Sequence, residues 1–194
     1  AVDCTGHGVP GALMSMVGYN LLREAVLERK IHNPADILFW LNGAVANSLQ
    51  QRSTGNRDGM DLSICVIDHS RNELHFAGAK HSLIYKKDGR LCRLKGSRNS
   101  VGGQYFSKKY PFESHVMPLD GNTSYYLHTD GYPDQFGGHQ KRKFMQKHFR
   151  DLLDSISTMP FPEQEQELER RLNNWMTEGN EKQTDDILVI GFKA

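Results

Sequence analysis

Three short stretches of the chain hold residues able to do chemistry. Asp3-Cys4-Thr5-Gly6-His7-Gly8 enters an apolar helical run, Leu127-His128-Thr129-Asp130-Gly131 closes a strand-like segment, and Gln183-Thr184-Asp185-Asp186 precedes four apolar residues, 187–190. Each sets a carboxylate at a strand end, beside a glycine or another acid. Where such strands are neighbours, the acids converge, and converging carboxylates repel unless a cation neutralises them. Aspartate oxygens with backbone carbonyls and water suit hard Mg²⁺ or Mn²⁺. No Cys/His set accompanies them, which argues against zinc. Two such ions together activate a water and clamp a phosphoryl oxygen. The glycines at the start of the first helix also suit an anion. Taken singly, Asp-Gly is a turn signal and an Asp before a helix is a cap. The combination, in this order, carries the functional reading.

The elements that must position these acids follow from periodicity. Residues 10–30 read as a helix, with Leu13, Met16, Val17, Asn20, Leu21 and Ala25 on one face and Pro10 at a first helical position. A second helix starts at Asn33-Pro34, where Asn33 caps and Asp36 adds negative charge to the first turn. Its apolar face is Ile37, Leu38, Leu41, Val45 and Leu49. Residues 51–59 are polar and read as a loop. The period then changes to two. Strands are expected over 62–68, 72–77, 82–86, 90–94, 112–117 and 123–128. Lys87-Asp88-Gly89 and Asp120-Gly121 read as hairpin turns. Helices follow at 144–156 and 162–175, and residues 187–190, apolar on both faces, read as a buried central strand. Two helices, a run of antiparallel strands, two helices and one strand show no βαβ alternation, which argues against a doubly wound parallel sheet.

The chain has 194 residues, formal net charge +1, 38% hydrophobic and 24% charged residues. That suffices for one core and one domain, 1–194. Near-zero charge gives no reason to expect nucleic acid or an anionic membrane as a partner. Three widely spaced cysteines, Cys4, Cys65 and Cys92, form neither a zinc pattern nor a disulfide framework and read as reduced cytosolic thiols. No apolar run approaches the roughly 20 residues of a membrane span.

Five motifs in order, DCTGHGVPGALMSM, DGMDLSICVID, FAGAKHSLIY, YLHTDGYPDQFGG and QTDDILVIGF, make the chain resemble the metal-dependent (PPM, type-2C-like) protein serine/threonine phosphatases, in their bacterial SpoIIE-like branch. The resemblance covers nearly the whole chain. It implies an α+β fold, a four-layer α-β-β-α sandwich of mainly antiparallel sheets flanked by helices, with two Mn²⁺ or Mg²⁺ ions per complete site. Carried over, Asp3 bridges the metals, the Cys4 carbonyl is a further ligand, and Asp130 and Asp185 complete the first metal site. Asp186 is a lower-ranked neighbour of that site. A metal-bound hydroxide attacking phosphorus in line, without a phosphoenzyme, is the implied mechanism. The implied substrate is a phosphorylated STAS-domain anti-anti-sigma protein in bacterial partner switching.

The resemblance also has departures. Family members carry an acidic strand upstream, with a Gly-Asp pair holding the second metal. This sequence begins after it, at Ala1 rather than an initiator Met. The expectation is a domain lacking its N-terminal strand or strands, cut from the C-terminal output end of a longer, cytoplasmic or membrane-anchored sensor, with a homodimer admitted. Some relatives have a histidine two residues after the first Asp. Here that position is Thr5, so no general-acid role passes to His7. Asp58-Gly59-Met60-Asp61 reads as a turn with a strand-starting acid, Lys80-His81 and Lys141-Arg142-Lys143 as solvated segments, and Met14 and Met16 as core filler. Two alternatives stand beside the enzyme reading: a non-catalytic partner-binding module of the same fold, and a hydrolase of small phosphoesters.

Overall fold

The structure is a computed structural model that describes residues 1–103 and 112–194. In chain order the elements are β1 (Val2–Cys4), α1 (Gly8–Arg23) continuing as a π-helical turn (Glu24–Glu28), α2 (Pro34–Ser48), the short α3 (Gln51–Thr54), β2 (Gly59–Asp68), β3 (Glu73–Ala79), β4 (Leu83–Lys87), β5 (Arg90–Leu94), β6 (Val101–Gly102), β7 (His115–Pro118), β8 (Ser124–His128), α4 (Gly131–Asp134), β9 (Phe136–Gly137), β10 (Arg142–Lys143), α5 (Gln146–Ile156), α6 (Phe161–Gly179) and β11 (Val189–Lys193). They form two compact units, Ala1–Leu83 with Leu94–Leu119, and Ile84–Arg93 with Asp120–Ala194.

In the first unit the sheet order is β1-β2-β3-β7, with β6 also paired to β2. All these pairings are antiparallel. α2 covers this sheet. Its start is set locally: the Asn33 carboxamide accepts the N–H groups of Ala35 and Asp36, and Pro34 needs no donor at the first position. Its buried face, Ile37, Leu38, Leu41 and Val45, packs on Met60 and Leu62 of β2, Ala77 and Ala79 of β3 and Val101 of β6. Burying each such side chain contributes about 1.5–3 kcal/mol. The buried Asn42 side chain accepts the Gly102 N–H at 2.8 Å and so ties α2 to β6.

α1 departs from the expected face. Gly11, Met14 and Gly18 are buried, while Leu13 and Met16 are 57% and 61% exposed. The cause is close approach. A Cβ on Gly18 would lie 2.9 Å from the Met60 sulfur, and one on Gly11 would lie 2.7 Å from the Gly6 carbonyl oxygen. Gly11, Met14 and Gly18 therefore form the inner face of the first turns, where Leu13 and Met16 turn outward, while Leu21 and Ala25 of the expected face do pack on the core. Met14 is core and Met16 is not. Residues 51–54 form a helical turn rather than loop, because Ser53 and Thr54 bond back to the Gln50 carbonyl.

In the second unit the sheet order is β11-β8-β4-β5, and β9 and β10 make a separate antiparallel pair. α5 buries Phe149, Leu152, Leu153 and Ile156 against Ile84, Tyr126 and Tyr132. Both tyrosines keep their hydroxyls satisfied: Tyr126 donates to Gln164 Oε1 at 3.0 Å and Tyr132 to the Leu168 carbonyl at 2.8 Å. The Asp88-Gly89 turn between β4 and β5 has φ of 48° and 73°, the left-handed pair that a two-residue hairpin loop requires.

Two sheet assignments differ from the sequence reading. Asp120-Gly121 is not a hairpin turn, since β7 pairs with β3 while β8 pairs with β4 and β11. The final strand lies at its sheet's edge, not its centre, and Ile190 is 39% exposed. Among the described residues, no helix is long and apolar enough to cross a membrane.

Candidate metal centre

In the first unit, Asp3 sits on β1 opposite Asp61 of β2, and Cys4 sits opposite Met60. The loop that follows is pinned to β2. Thr5 N–H donates to the Gly59 carbonyl at 2.9 Å, and the Thr5 hydroxyl accepts the Gly59 N–H at 2.8 Å. Burial pushes the Cys4 thiol above its ordinary pKa, against a hydrogen bond from Ser15 that lowers it. Between the two donors Cys4 offers, a hard cation prefers the peptide carbonyl oxygen to sulfur. His7 occupies the N-cap position of α1 without a side-chain capping bond and is exposed.

In the second unit, one threonine ties two of the acidic motifs together. Thr129 N–H donates to the Leu188 carbonyl at 3.1 Å, its hydroxyl donates to the Asp186 carbonyl at 3.2 Å, and the same hydroxyl accepts the Leu188 N–H at 3.1 Å. These bonds continue the β8–β11 ladder, in which Val189 is opposite His128, past the strand ends. Gly131 completes the contact. A Cβ there would collide with the Asp186 carbonyl oxygen. The segments bearing Asp130 and Asp185-Asp186 are thus held side by side.

Asp130 occupies the N-cap position of α4, yet its carboxylate makes no capping hydrogen bond. The ordinary structural use of an Asp before a helix is not what this side chain does. Asp185 Oδ1 accepts the Asp186 N–H at 2.8 Å, and both acids are exposed. Gln135, fully buried, braces the approach to them. Its Nε2 donates to the Phe136 and Lys182 carbonyls, each at 2.9 Å, and its Oε1 accepts the Thr184 N–H at 3.2 Å.

Among the described residues, no group of three or more His, Cys, Asp or Glu side chains is gathered to hold a metal ion. The donors at each strand end are oxygens, and the Asp130 carboxylate is not spent on a cap. That donor set fits Mg²⁺ or Mn²⁺ and not a sulfur-seeking ion.

Sequence reasoning gave no role to two residues that hold these acidic segments, Thr129 and Gln135, and read Asp61, which faces Asp3, only as a strand-starting acid. Thr129 stands directly before Asp130 and Gln135 five residues after it, and a polar residue so close to a candidate ligand was the available signal. Of the segments expected to be solvated, Lys80, Lys141 and Arg142 are exposed, and only His81, which is buried, departs from that expectation. Surface ion pairs join Lys80 to Asp61 at 3.1 Å, Lys141 to Glu181 at 3.6 Å, and Lys143 to Asp134 at 2.7 Å.

Comparison with solved structures defines the class. The SiaA-PP2C domain of Pseudomonas aeruginosa superposes with TM-score 0.87 at 34% identity, over 100% of this chain and 74% of that one. The PP2C phosphatase domain of SpoIIE from Bacillus subtilis, solved with a fragment of its regulatory domain, gives 0.71 at 18% identity, over 98% of this chain and 52% of that one. The catalytic domain of the serine/threonine phosphatase PstP, solved with 2 manganese ions, gives 0.59 at 16% identity, over 98% and 84%. The fold is that of the PP2C-type protein phosphatases. No curated protein matches the chain. The profile of Stage II sporulation protein E (SpoIIE) matches residues 1–194, and the chain belongs to the SpoIIE family.

Proposed function

We propose that residues 1–194 form one metal-dependent serine/threonine protein phosphatase domain, the cytoplasmic output end of a longer bacterial sensor. Its proposed substrate is a phosphorylated STAS-domain anti-anti-sigma protein. The observation that carries the reading is the uncapped Asp130 carboxylate, held by Thr129 and Gly131 beside the Asp185-Asp186 segment. A helix-start aspartate that does not cap is available as a ligand. Family membership and the manganese bound to PstP support the same chemistry.

The proposed ligands are Asp3 with the Cys4 carbonyl oxygen, and Asp130 with Asp185; Asp186 supports them through its backbone. Bound Mn²⁺ or Mg²⁺, two ions in a complete site, supplies Lewis acidity, lowering the pKa of a coordinated water and offsetting charge on the phosphoryl oxygens. The chain's own part is placement. Thr129 and Gly131 fix the spacing of two acidic segments, Gln135 holds residues 182–184 in place, and Thr5 fixes the loop after Asp3. Ligands held in advance need no reorganisation when charge shifts in the transition state.

The test is Mn²⁺-dependent release of phosphate from a phosphoserine STAS protein and from an aryl phosphate, measured in parallel. Turnover of the phosphoprotein at a kcat/KM well above that of the aryl ester supports the proposal. Turnover of the aryl ester alone points to a small-phosphoester hydrolase. Partner binding without turnover of either points to a non-catalytic module.

A further inference from the structure

Three charged side chains stand in register across the first sheet. Asp3 of β1 is opposite Asp61 of β2, and Leu62 is opposite Ala79, so the next position past β3, Lys80, falls beside Asp61. Lys80 Nζ lies 3.1 Å from Asp61 Oδ2. Directly opposed residues of an antiparallel pair share a face, and like charges there are destabilising. Asp3 and Asp61 are such a pair.

Lys80 is an unfavourable residue for its backbone. Its φ is 60°, in the left-handed region where glycine or asparagine is at ease. That turn is fixed by two short bonds: Lys80 N–H donates to the Ser97 carbonyl and Ser97 N–H to the Gly78 carbonyl, each at 2.7 Å. The Asp61 side chain is only 26% exposed, so the ammonium meets a carboxylate partly withdrawn from water.

We propose that Lys80 is a positioning residue that acts on Asp3 through Asp61. Its ammonium is the built-in counter-ion of Asp61. It keeps that carboxylate from competing for a divalent ion and lowers the negative field such an ion meets at Asp3. The inference rests on the metal-ligand reading of Asp3. It makes stability and metal affinity move in opposite directions, whereas a merely structural lysine would move them together. Two cross-strand steps put Lys80 roughly 10 Å from Asp3. Removing a positive charge at that range strengthens binding of a dication about three- to tenfold.

The experiment measures melting of the metal-free chain and calorimetric Mn²⁺ affinity for wild type, Lys80→Gln, Asp61→Asn, the double variant, Lys80→Arg and Asp3→Asn. Lys80→Gln is expected to melt about 1–3 °C lower, as a half-exposed ion pair allows, yet to bind Mn²⁺ roughly three to ten times more tightly. Asp61→Asn binds it more weakly. The double variant returns to within about twofold of wild type, and Lys80→Arg matches wild type in both readouts. A Lys80→Gln chain that binds Mn²⁺ as wild type does, or more weakly, overturns the inference alone. A Mn²⁺ affinity that Asp3→Asn leaves unchanged overturns the metal reading of Asp3 and this inference with it.

Discussion

Thr129 and Asp186 are joined by a hydroxyl-to-carbonyl hydrogen bond of 3.2 Å, and the same hydroxyl accepts the Leu188 N–H at 3.1 Å. A single side chain therefore extends the β8–β11 ladder beyond its last strand pair and sets the spacing of two acidic segments. Thr129→Val keeps the shape and removes both bonds. The expected cost is about 1–3 kcal/mol of stability and about a tenfold loss of Mn²⁺ affinity. Thr129→Ser should restore most of both. Chemical denaturation and metal titration of the two variants check this.

Gln135 makes three hydrogen bonds from a fully buried site, two of them to residues 182 and 184. Gln135→Leu strands two carbonyls and one N–H. The expected loss is about 2–4 kcal/mol. Hydrogen exchange should show residues 182–186 opening faster than β8, while a uniform rise across the second unit would contradict the assigned role.

Acid stability has a local source in the same unit. Asp120 accepts the N–H groups of Thr123 and Asn122, at 2.8 and 3.0 Å, and the Thr123 hydroxyl at 3.0 Å, and it pairs with Lys87 at 3.2 Å. The peptide bonds first, and then Lys87 and the hydroxyl, hold its carboxyl well below the usual range. A depressed folded pKa stabilises above the unfolded value, about 3.9, and that contribution fades as pH falls toward the folded value. Wild type should therefore lose melting temperature more steeply below about pH 4 than Asp120→Asn does. Parallel melting curves from pH 6 to pH 2 would exclude Asp120 as the source.

Much of the fold was legible because its signals are local. The Asn33-Pro34 cap, the Asp88-Gly89 hairpin and the apolar stripe of α5 depend on a few neighbouring residues, and each lies where the sequence places it. Asp120-Gly121 carries the same turn chemistry, but its flanking strands pair in different sheets, which no local pattern encodes. The run 187–190 is apolar enough for a central strand, yet among the described residues β11 pairs only with β8. For the first turns of α1, the inner face was set by where glycine permits contact, while Leu21 and Ala25 lie on the core as their spacing places them. The acids themselves were legible as residue types in motifs. The residues that hold their segments, Thr129 and Gln135, were not, because a bracing hydrogen bond has no periodicity.

The most direct test of the account is phosphate release as a function of Mn²⁺ concentration, with wild type and Asp130→Asn side by side. The carboxylate makes no capping bond, so the substitution should leave the melting temperature of the metal-free chain nearly unchanged. It should lower Mn²⁺-dependent kcat/KM by about a hundredfold or more. Metal-dependent turnover that survives Asp130→Asn undiminished would contradict the assignment of this aspartate to the metal centre.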